Sequence, residues 1–404
     1  MPISPVDAER IVLEAMLPLA AEACPLAEAH GRILRAPIVA DRDLPPFDRV
    51  TMDGYALRSA AWAAGTRQFR IIGTQAAGVE PLILGADDEC VEIMTGAVLP
   101  IGADCVVPYE ETSREGTLMT ITSNVRLGPG HSVHARGSDC AKGTVIVPAG
   151  TRLTGREIAV AAACGEATLR VGERPAVAVV ATGDELVAVD VSAPAPHQIR
   201  QSNGPALRAA LLAGGRAVRV ELFHLRDNRA GIEAALRQIV AEFDVVLLTG
   251  GVSKGKFDFV PAVLAALGVE KKIAGVAQRP GKPFWFGVTS RHTPVFALPG
   301  NPVSGLVCYR RYVVPALDKM LGSTPTQADW TPLATATTHH PTLTRMLPVR
   351  VTTATDGKRT AQIMPCNTSG DFAELVGTDG FVELPPCPLD IPTGTVVRHW
   401  AWDN

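Results

Sequence analysis

Three turns between Thr249 and Pro302 hold most of the residues in this chain that could do chemistry. They read T-G-G-V-S-K-G-K-F-D, Q-R-P-G-K-P and L-P-G-N-P-V-S, and each follows a short apolar run. Glycine lets backbone N–H groups approach a ligand closely, because it has no side chain to block them. Several basic side chains and one carboxylate share these turns, a mixture that suits an oxyanion and a cation held together. These residues are Lys254, Lys256, Arg279, Lys282 and Asp258.

A helix is predicted directly after the third turn. Asn301 lies where a helix cap belongs, Pro302 takes the first helical position, and apolar residues recur over Leu306–Leu321. The N–H groups at the start of a helix attract anions. We therefore expect this helix to point its first turn towards the ligand of the glycine turns.

Two carboxylates and one hydroxyl in the first half of the chain are further candidates. Asp53 lies between Met52 and Gly54, and its neighbours predict a partly buried carboxylate, although an Asp-Gly turn also explains the pattern. Thr95 comes at a strand end before glycine, where its hydroxyl serves a ligand or caps a turn. Asp139, in G-S-D, also follows a strand and suits either a ligand or an ordinary turn.

Strands and helices are predicted to alternate after Arg174, which is typical of a parallel, doubly wound α/β sheet. The predicted elements are the strand Ala176–Ala181, the helix Pro205–Ala213, the strand Ala217–His224, the helix Asn228–Ala241 and the strand Phe243–Leu248. Ligands of such sheets bind beyond the carboxyl ends of the strands. Glu185, Asp227 and the Thr249–Asp258 turn all fall at such ends. A solvated loop also explains Glu185, and a helix cap also explains Asp227.

The rest of the chain is predicted to form β-rich and helical segments. Helix patterns at Ser4–Ala21 and Thr151–Gly165 flank short alternating runs over Phe69–Val147, which predict an antiparallel β domain. Leu333–Trp402 predicts a small β domain. The predicted domains are an elongated helical and extended linker domain at 1–45 plus 141–173, an inserted β domain at 46–140, the doubly wound domain at 174–325 and a small β-barrel-like domain at 326–404.

Composition excludes several classes of function. Lys and Arg total 38 against 41 for Asp and Glu, so there is no basic surplus to attract a nucleic-acid backbone. The eight cysteines are scattered without a C-x-x-C pair, which argues against a zinc site or a disulfide framework. No apolar run approaches the roughly 20 residues of a membrane helix. With 404 residues and 47% hydrophobic content, we expect a multidomain globular protein of the cytoplasm.

The motifs M-D-G-Y-A, I-M-T-G-A, G-S-D, T-G-D-E-L, T-G-G-V-S-K-G-K-F-D, R-P-G-K-P and L-P-G-N-P-V-S follow one another across nearly the whole chain. In this order they resemble the molybdopterin molybdenumtransferase family, MoeA, whose eukaryotic relatives are gephyrin and the E domain of its plant counterpart. The resemblance implies insertion of molybdate into adenylylated molybdopterin with release of AMP, assisted by Mg²⁺. It also implies a MogA-like, molybdopterin-binding doubly wound domain.

The resemblance further implies an elongated homodimer. Its sites would lie between the doubly wound domain of one subunit and the β domain of the other. Further partners would be the adenylyltransferase that makes the substrate and the chaperones of molybdoenzymes, with neither nucleic acid nor a membrane among them.

Roles for individual residues come from the same resemblance. The implied catalytic residues are Asp53, Thr95, Asp139, Glu185, Asp227 and Asp258, of which Glu185, Asp227 and Asp258 would hold the metal. The implied residues that bind the cofactor substrate are Gly250, Gly251, Ser253, Lys256, Arg279, Lys282, Pro283, Pro299, Gly300, Asn301, Pro302 and Ser304. Arg345 and Ser369 fall near the molybdate contacts of the family. Because a pterin dithiolate, a pyrophosphate and molybdate are all anions, carboxylates near them must hold a cation or move protons.

One position departs from the family pattern. The family's basic motif is usually K-P-G-K-P, and Arg279 takes the place of its first lysine. The charge is kept, but a planar guanidinium has a different geometry from a point-charge ammonium. We expect this difference to affect oxyanion affinity.

Two other classes of function remain open from the residues. A molybdopterin adenylyltransferase or a competence-damage-type nucleotide hydrolase shares the doubly wound domain, but neither explains M-D-G-Y-A or I-M-T-G-A. A scaffold or paralogue that binds molybdopterin without turnover is the alternative outside enzymes, and the intact acids argue against it.

Overall fold

The computed structural model describes residues 2–251, 259–338, 340–365, 368 and 370–402. Contacts divide the chain into two compact units. The larger unit comprises Met1–Ala36, Gly150–Thr154 and Thr168–Asn404, and the smaller unit comprises Pro37–Ala149 and Gly155–Ala167. Within the described residues, no helix has the length and apolar character needed to cross a membrane.

An α/β sheet forms the core of the larger unit. Its described strands, from one edge to the other, are Arg219–Leu225, Ala176–Thr182, Val245–Thr249, Pro294–Leu298, Trp285–Val288 and Glu270–Ala274. The first four are parallel, as predicted, and the last two are antiparallel to their neighbours. The sheet is therefore mixed at this edge, where no strand was predicted, because the short connection 289–293 can join Trp285–Val288 to Pro294–Leu298 only as a hairpin.

Helices cover both faces of this sheet, which confirms the doubly wound architecture. Val177 and Val179 pack into one hydrophobic cluster, and Ala178 and Val180 pack into another on the opposite face. This alternation is the side-chain period of a strand buried on both sides. Helices of the first cluster are Pro5–Ala15, Asn203–Ala213 and Val314–Leu321, and helices of the second are Arg229–Glu242 and Val260–Ala266.

The first helix of the chain is shorter than predicted. It begins after Ser4, whose hydroxyl oxygen accepts from the backbone N–H of Asp7, and it ends at Ala15 instead of continuing to Ala21. Pro18 has no N–H to continue a helix. The strand Ala21–Pro25 follows and pairs with Thr168–Gly172.

The helix after the third turn has the predicted start and an interruption. Asn301 is its N-cap and Pro302 begins it, but Pro302–Cys308 is separated from Val314–Leu321 by the π-helical turn Tyr309–Val313. Pro315 supplies the reason, since a residue without an N–H breaks the regular ladder of helix hydrogen bonds.

A second sheet of the larger unit contains the C-terminal residues, as predicted. Its described strands are Gln278–Arg279, Thr344–Thr353, Gly380–Leu384, Val396–Ala401 and Asp329–Pro332, with Arg359–Ile363 paired beside Thr344–Thr353. Gln278–Arg279 pairs in parallel with Thr344 and Arg345, so the second turn of the chemistry-bearing stretch belongs to this sheet.

The smaller unit is β-rich, with a mixed sheet in place of the predicted antiparallel one. Its described strands in spatial order are Cys105–Pro108, Gly54–Leu57, Glu89–Ile93, Gln68–Gln75, Leu118–Ile121 and Thr112–Glu115. Gln68–Gln75 and Glu89–Ile93 pair in parallel, which the long connection 76–88 permits.

Short elements complete both units. In the smaller unit, strand pairs form between Arg49–Val50 and Val133–His134 and between Ile38–Val39 and Val145–Val147, and the helices are Ser59–Ala63 and Gly155–Ala163. In the larger unit, Leu186–Val187 pairs with Ile199–Arg200. Single 3₁₀ turns lie at Leu26–Glu28, Tyr109–Glu111 and Ala373–Leu375.

Candidate functional site

A cavity of about 680 Å³ lies in the larger unit between the second turn, the third turn and the C-terminal sheet. The residues that line it are Gln278, Arg279, Pro280, Gly281, Lys282, Pro283, Pro299, Asn301, Val303, Ser304, Thr338, His340, Leu343, Arg345, Met346, Leu347, Pro348 and Thr368. Seven predicted residues meet here, although they come from three separate parts of the chain. They are Arg279, Lys282, Pro283, Pro299, Asn301, Ser304 and Arg345.

The wall of this cavity is electropositive. Arg279, Lys282 and Arg345 line it, no carboxylate does among the described residues, and none of the three cations is ion-paired with a described acid. Arg279 and Arg345 are directly paired residues of neighbouring strands. Burial, and then the nearby charge of Arg279, lowers the pKa of Arg345 below its ordinary value. The cavity therefore concentrates positive charge that an anionic ligand would neutralise.

Arg345 is held in place by the segment opposite it. Its Nη1 donates to the carbonyl oxygen of Thr338 at 2.6 Å and to the hydroxyl of Thr338 at 3.0 Å. A guanidinium fixed in this way holds its remaining N–H groups in one orientation, which suits the binding of a tetrahedral oxyanion.

Beneath the second turn lies a buried hydrogen-bond network. Gln278 is fully buried, its Nε2 donates to the carbonyl oxygen of Pro280 at 3.0 Å, and its Oε1 accepts from the hydroxyl of Tyr312. The Cys308 thiol donates to the carbonyl oxygen of Gly281 at 3.7 Å. Burial raises the pKa of both the Cys308 thiol and the Tyr312 hydroxyl, so both stay protonated and serve as donors. The network holds the backbone of the R-P-G-K-P turn.

Gly281 is required by this arrangement. Its φ is +94°, a conformation that residues with a side chain rarely adopt. A Cβ at this position would lie 2.5 Å from Gln278 Nε2 and 2.6 Å from Cys308 Sγ. The glycine of the motif thus permits close packing of the turn on its support.

Sequence reasoning missed His340, which lines the cavity. Its Nδ1 accepts from the backbone N–H groups of Thr342 and Leu343, at 3.2 and 3.0 Å. The only signal in the sequence was a histidine five positions before Arg345 and next to a proline, a pattern too common to single out.

The carboxyl edge of the α/β sheet brings other predicted residues together. Gly250 and Gly251 have φ values of +89° and +67°, and a Cβ on either would meet Thr182 within 3.0 Å. Gly300 lies against Gly250, and its carbonyl oxygen accepts from Asn203 Nδ2 at 2.7 Å. The first and third glycine turns are therefore in contact, as expected from neighbouring parallel strands.

Acidic residues lie at the same edge. Glu185 follows Thr182 and is exposed, and Asp227, which follows the neighbouring strand, is partly buried. The backbone N–H of Asp227 donates to Asp184 Oδ1 at 3.3 Å, so the two loops touch. Carboxylate oxygens are the donors that Mg²⁺ prefers, and this ion often binds one or two carboxylates together with substrate phosphates. In the part of the chain that the structure describes, no three His, Cys, Asp or Glu side chains are grouped to hold a metal by themselves.

In the smaller unit, Asp53 and Thr95 are direct partners. Asp53 Oδ1 accepts from the backbone N–H of Thr95 at 2.6 Å and from its hydroxyl at 2.8 Å. The backbone bond and then the hydroxyl bond lower the pKa of Asp53, which keeps it ionised. The prediction that Asp53 is partly buried is wrong, because its side chain is exposed and the adjacent Gly54 is the buried residue that packs on the next strand.

Asp139 belongs to a second polar group of the smaller unit. Its Oδ1 lies 2.8 Å from His134 Nε2, and the other ring nitrogen, Nδ1, lies 3.0 Å from Arg49 Nη2. Because a guanidinium only donates, Nδ1 must accept and Nε2–H must donate to Asp139. Arg49–Val50 also hydrogen-bonds Gly96 and Ala97, so one short strand connects the neighbourhoods of Asp139 and Thr95.

Several predicted residues lie outside the described part of the chain. They are Ser253, Lys254, Lys256, Asp258 and Ser369. Pro302 lies in the first turn of the helix behind the cavity. The structure thus shows an electropositive cavity, a glycine- and acid-bearing sheet edge in the same unit, and two acidic groups in the smaller unit.

Known protein families match the chain in three consecutive regions. Residues 3–165 match the "MoeA N-terminal region (domain I and II)", residues 178–319 match the "Probable molybdopterin binding domain" and residues 331–402 match the "MoeA C-terminal region (domain IV)". The predicted resemblance is confirmed over almost the full length.

Individual relatives agree with these regions. A molybdopterin molybdenumtransferase of Synechocystis is 39% identical over 375 residues, which is 93% of each chain. Molybdopterin molybdenumtransferase 2 of Mycobacterium tuberculosis is 30% identical over 404 residues and covers 97% of this chain and 98% of its own. A solved structure of the molybdopterin biosynthesis MoeA protein from Pyrococcus horikoshii is 30% identical, with a TM-score of 0.83 and 100% of both chains covered.

Proposed function

This chain belongs to the molybdopterin molybdenumtransferase family, and from that premise we propose that it inserts molybdate into adenylylated molybdopterin and releases AMP. Membership makes it a transferase of molybdenum cofactor biosynthesis. The matches outside the doubly wound domain favour this reaction over an adenylyltransferase or nucleotide hydrolase that shares that domain alone.

The observation that carries the proposal is the electropositive cavity. Molybdate is a tetrahedral dianion, and Arg279, Lys282 and Arg345 offer three positive charges without a described acid to compete for them. Ser304 adds a hydroxyl to the same wall. Charged donors in a partly enclosed cavity bind an oxyanion through short, charge-assisted hydrogen bonds.

The sheet edge suits the phosphate part of the substrate. Gly251 and Gly300 have no side chain to block a pyrophosphate from their backbone N–H groups, whereas the N–H of Gly250 already donates to the carbonyl oxygen of Leu298. Glu185 and Asp227 would hold Mg²⁺ there together with phosphate oxygens, and Asp258 is proposed as a third ligand. The ion, when bound, neutralises charge that develops as the phosphoanhydride bond breaks.

Acids of the smaller unit take the remaining roles. Asp53, kept ionised by Thr95, accepts hydrogen bonds or a proton, and Asp139 has its orientation set by His134. Insertion replaces two oxygen atoms of molybdate by the two sulfurs of the dithiol, and the displaced oxygens leave as two waters that take up the two thiol protons and two further protons from solvent. Carboxylates that carry such protons are what this step requires.

Reconstitution tests the proposal directly. Purified chain, adenylylated molybdopterin, molybdate and Mg²⁺ should release AMP, measured by chromatography, together with molybdenum bound to the pterin. Omission of molybdate should stop formation of the molybdenum product. Binding of both ligands without AMP release would instead support the scaffold alternative.

We also propose that the active form is a homodimer whose sites join the smaller unit of one subunit to the doubly wound domain of the other. A mixture of Asp53→Ala and Asp258→Ala chains should then regain partial activity, because one site of each mixed dimer carries both changes and the other carries none. Mixed dimers that form without any recovery would contradict the shared site.

A further inference from the structure

We propose that His340 is a further oxyanion-binding residue of this cavity. Its Nε2–H donates to the bound oxyanion, and this nitrogen cannot accept a hydrogen bond in return. The inference rests on the proposed function, since it concerns the same oxyanion, but it assigns a residue that neither the motifs nor the resemblance implied.

The tautomer of His340 follows from its hydrogen bonds. Nδ1 accepts from two backbone N–H groups, those of Thr342 and Leu343. A nitrogen with its lone pair engaged in this way carries no proton, so in the neutral ring the proton is on Nε2. Among the described residues, Nε2 has no hydrogen-bond partner, although His340 lines the cavity.

The backbone of His340 is held as well. The carbonyl oxygen of His340 accepts from the backbone N–H of Cys387 at 3.3 Å, which ties the turn to a distant part of the same unit. Arg345 is bound to Thr338, two residues before His340. The imidazole of His340 and the guanidinium of Arg345 therefore belong to one segment, 338–345, whose position is held by these hydrogen bonds.

A neutral donor has an advantage over another cation here. Arg279 already lowers the pKa of Arg345, so a further positive charge on this wall would increase repulsion in the empty cavity. An N–H from a neutral imidazole adds a hydrogen bond to the oxyanion without adding that repulsion.

The fixed direction of this hydrogen bond restricts which ligand atom can take it. Nε2–H donates only to an oxygen atom that can accept. All four oxygens of molybdate accept, and so do the unprotonated oxygens of phosphate, so this donor recognises a tetrahedral oxyanion without distinguishing these two.

Two substitutions separate this role from the turn. His340→Asn keeps an acceptor near the place of Nδ1 for Thr342 and Leu343 and removes the cavity donor. His340→Gln places an amide near Nε2, which can donate or accept, and loses the acceptor for the turn. Exposed His197, outside the cavity, gives the control His197→Asn.

Binding of molybdate alone to the full chain, measured by calorimetry, should separate these variants. His340→Asn should bind molybdate roughly tenfold to a hundredfold more weakly than the wild type, the effect of losing one hydrogen bond to a charged group. His340→Gln should stay within about threefold of the wild type, because its amide N–H can donate in place of Nε2–H. His197→Asn should match the wild type.

Imidazole ¹⁵N spectra provide a second measurement that needs no variant to bind. In the wild type, the His340 signals, assigned by their loss in His340→Asn or His340→Gln, should show unprotonated Nδ1 and protonated Nε2, and Nε2 should shift when molybdate is added. Normal molybdate binding by His340→Asn, equal losses in both variants, or a proton on Nδ1 would overturn the inference alone. A wild-type chain that binds no molybdate would contradict the proposed function as well.

Discussion

Gly281→Ala tests whether the R-P-G-K-P turn depends on the buried network beneath it. The new methyl group would lie 2.5 Å from Gln278 Nε2 and 2.6 Å from Cys308 Sγ. Both neighbours are fully buried, so neither side chain can move aside into solvent. Either the network or the turn itself must shift.

The expected cost has two parts. A residue with a side chain at a left-handed φ costs about 1–2 kcal/mol relative to glycine. Insertion of a methyl group into a well-packed site adds about 1–3 kcal/mol. The free energy of unfolding should therefore fall by about 2–5 kcal/mol, and molybdate binding should weaken because Arg279 and Lys282 flank the displaced turn.

Gly268→Ala is the matched control in the same unit. Gly268 has a φ of +76°, but a Cβ there would meet nothing within 4 Å. This variant should lose only the backbone part, about 1–2 kcal/mol, and should bind molybdate normally. Urea unfolding followed by tryptophan fluorescence, with calorimetric titration of molybdate, measures both effects. Equal stability losses in the two variants, with molybdate binding intact in Gly281→Ala, would refute the role assigned to the network.

Three further predictions concern charge. Lys282→Ala should weaken molybdate binding at least about tenfold more than molybdopterin binding, because it removes a point charge from the cavity wall. Equal loss of affinity for both ligands in a titration would contradict a selective role for Lys282. Arg279→Lys should leave stability unchanged and shift the molybdate dependence only modestly. Glu185→Gln should raise the Mg²⁺ concentration needed for AMP release while substrate binding is kept or tightened, and normal turnover at limiting Mg²⁺ would show that this carboxylate is not a metal ligand. Burial lowers the pKa of His399, so the unfolded chain takes up a proton below about pH 6.5 before the folded chain does, and stability should fall as pH drops through that region. His399→Phe should reduce this pH dependence of the urea midpoint, and an unchanged slope would show that His399 is not its source.

Turns at strand ends were the most predictable part of the site. Buried parallel strands read as continuous apolar runs, and their carboxyl ends converge, so the neighbourhood of Gly250 and Gly300 follows from the order of elements alone. The Asn301-Pro302 helix start was predictable for a similarly local reason, since both residues have preferences set by the backbone at that point.

Features that depend on distant packing could not be predicted. Nothing near Asp53 reveals that its side chain is exposed, because which neighbour faces the core is decided by the strand that packs on Gly54. The support given by Gln278 and Tyr312 joins residues 34 positions apart. His340 is bonded within its own turn, but its place on the cavity wall depends on residues far away in the chain. Such contacts carry no sequence periodicity from which they could be inferred.

The pairing of Gln278–Arg279 with Thr344 and Arg345 limits how far the parts of this protein can be exchanged. From the sequence, residues 326–404 are predicted to form a separate domain, which could then be removed, replaced or fused to another protein. The sheet of these residues, however, also includes the strand Gln278–Arg279 from earlier in the chain. Residues of that earlier segment line one wall of the cavity, and residues after 326 line the other. A chain shortened before residue 326 would lose one wall of this cavity and would leave the buried Arg311 without its partner Glu383, so the boundary visible in the sequence does not separate two independent parts.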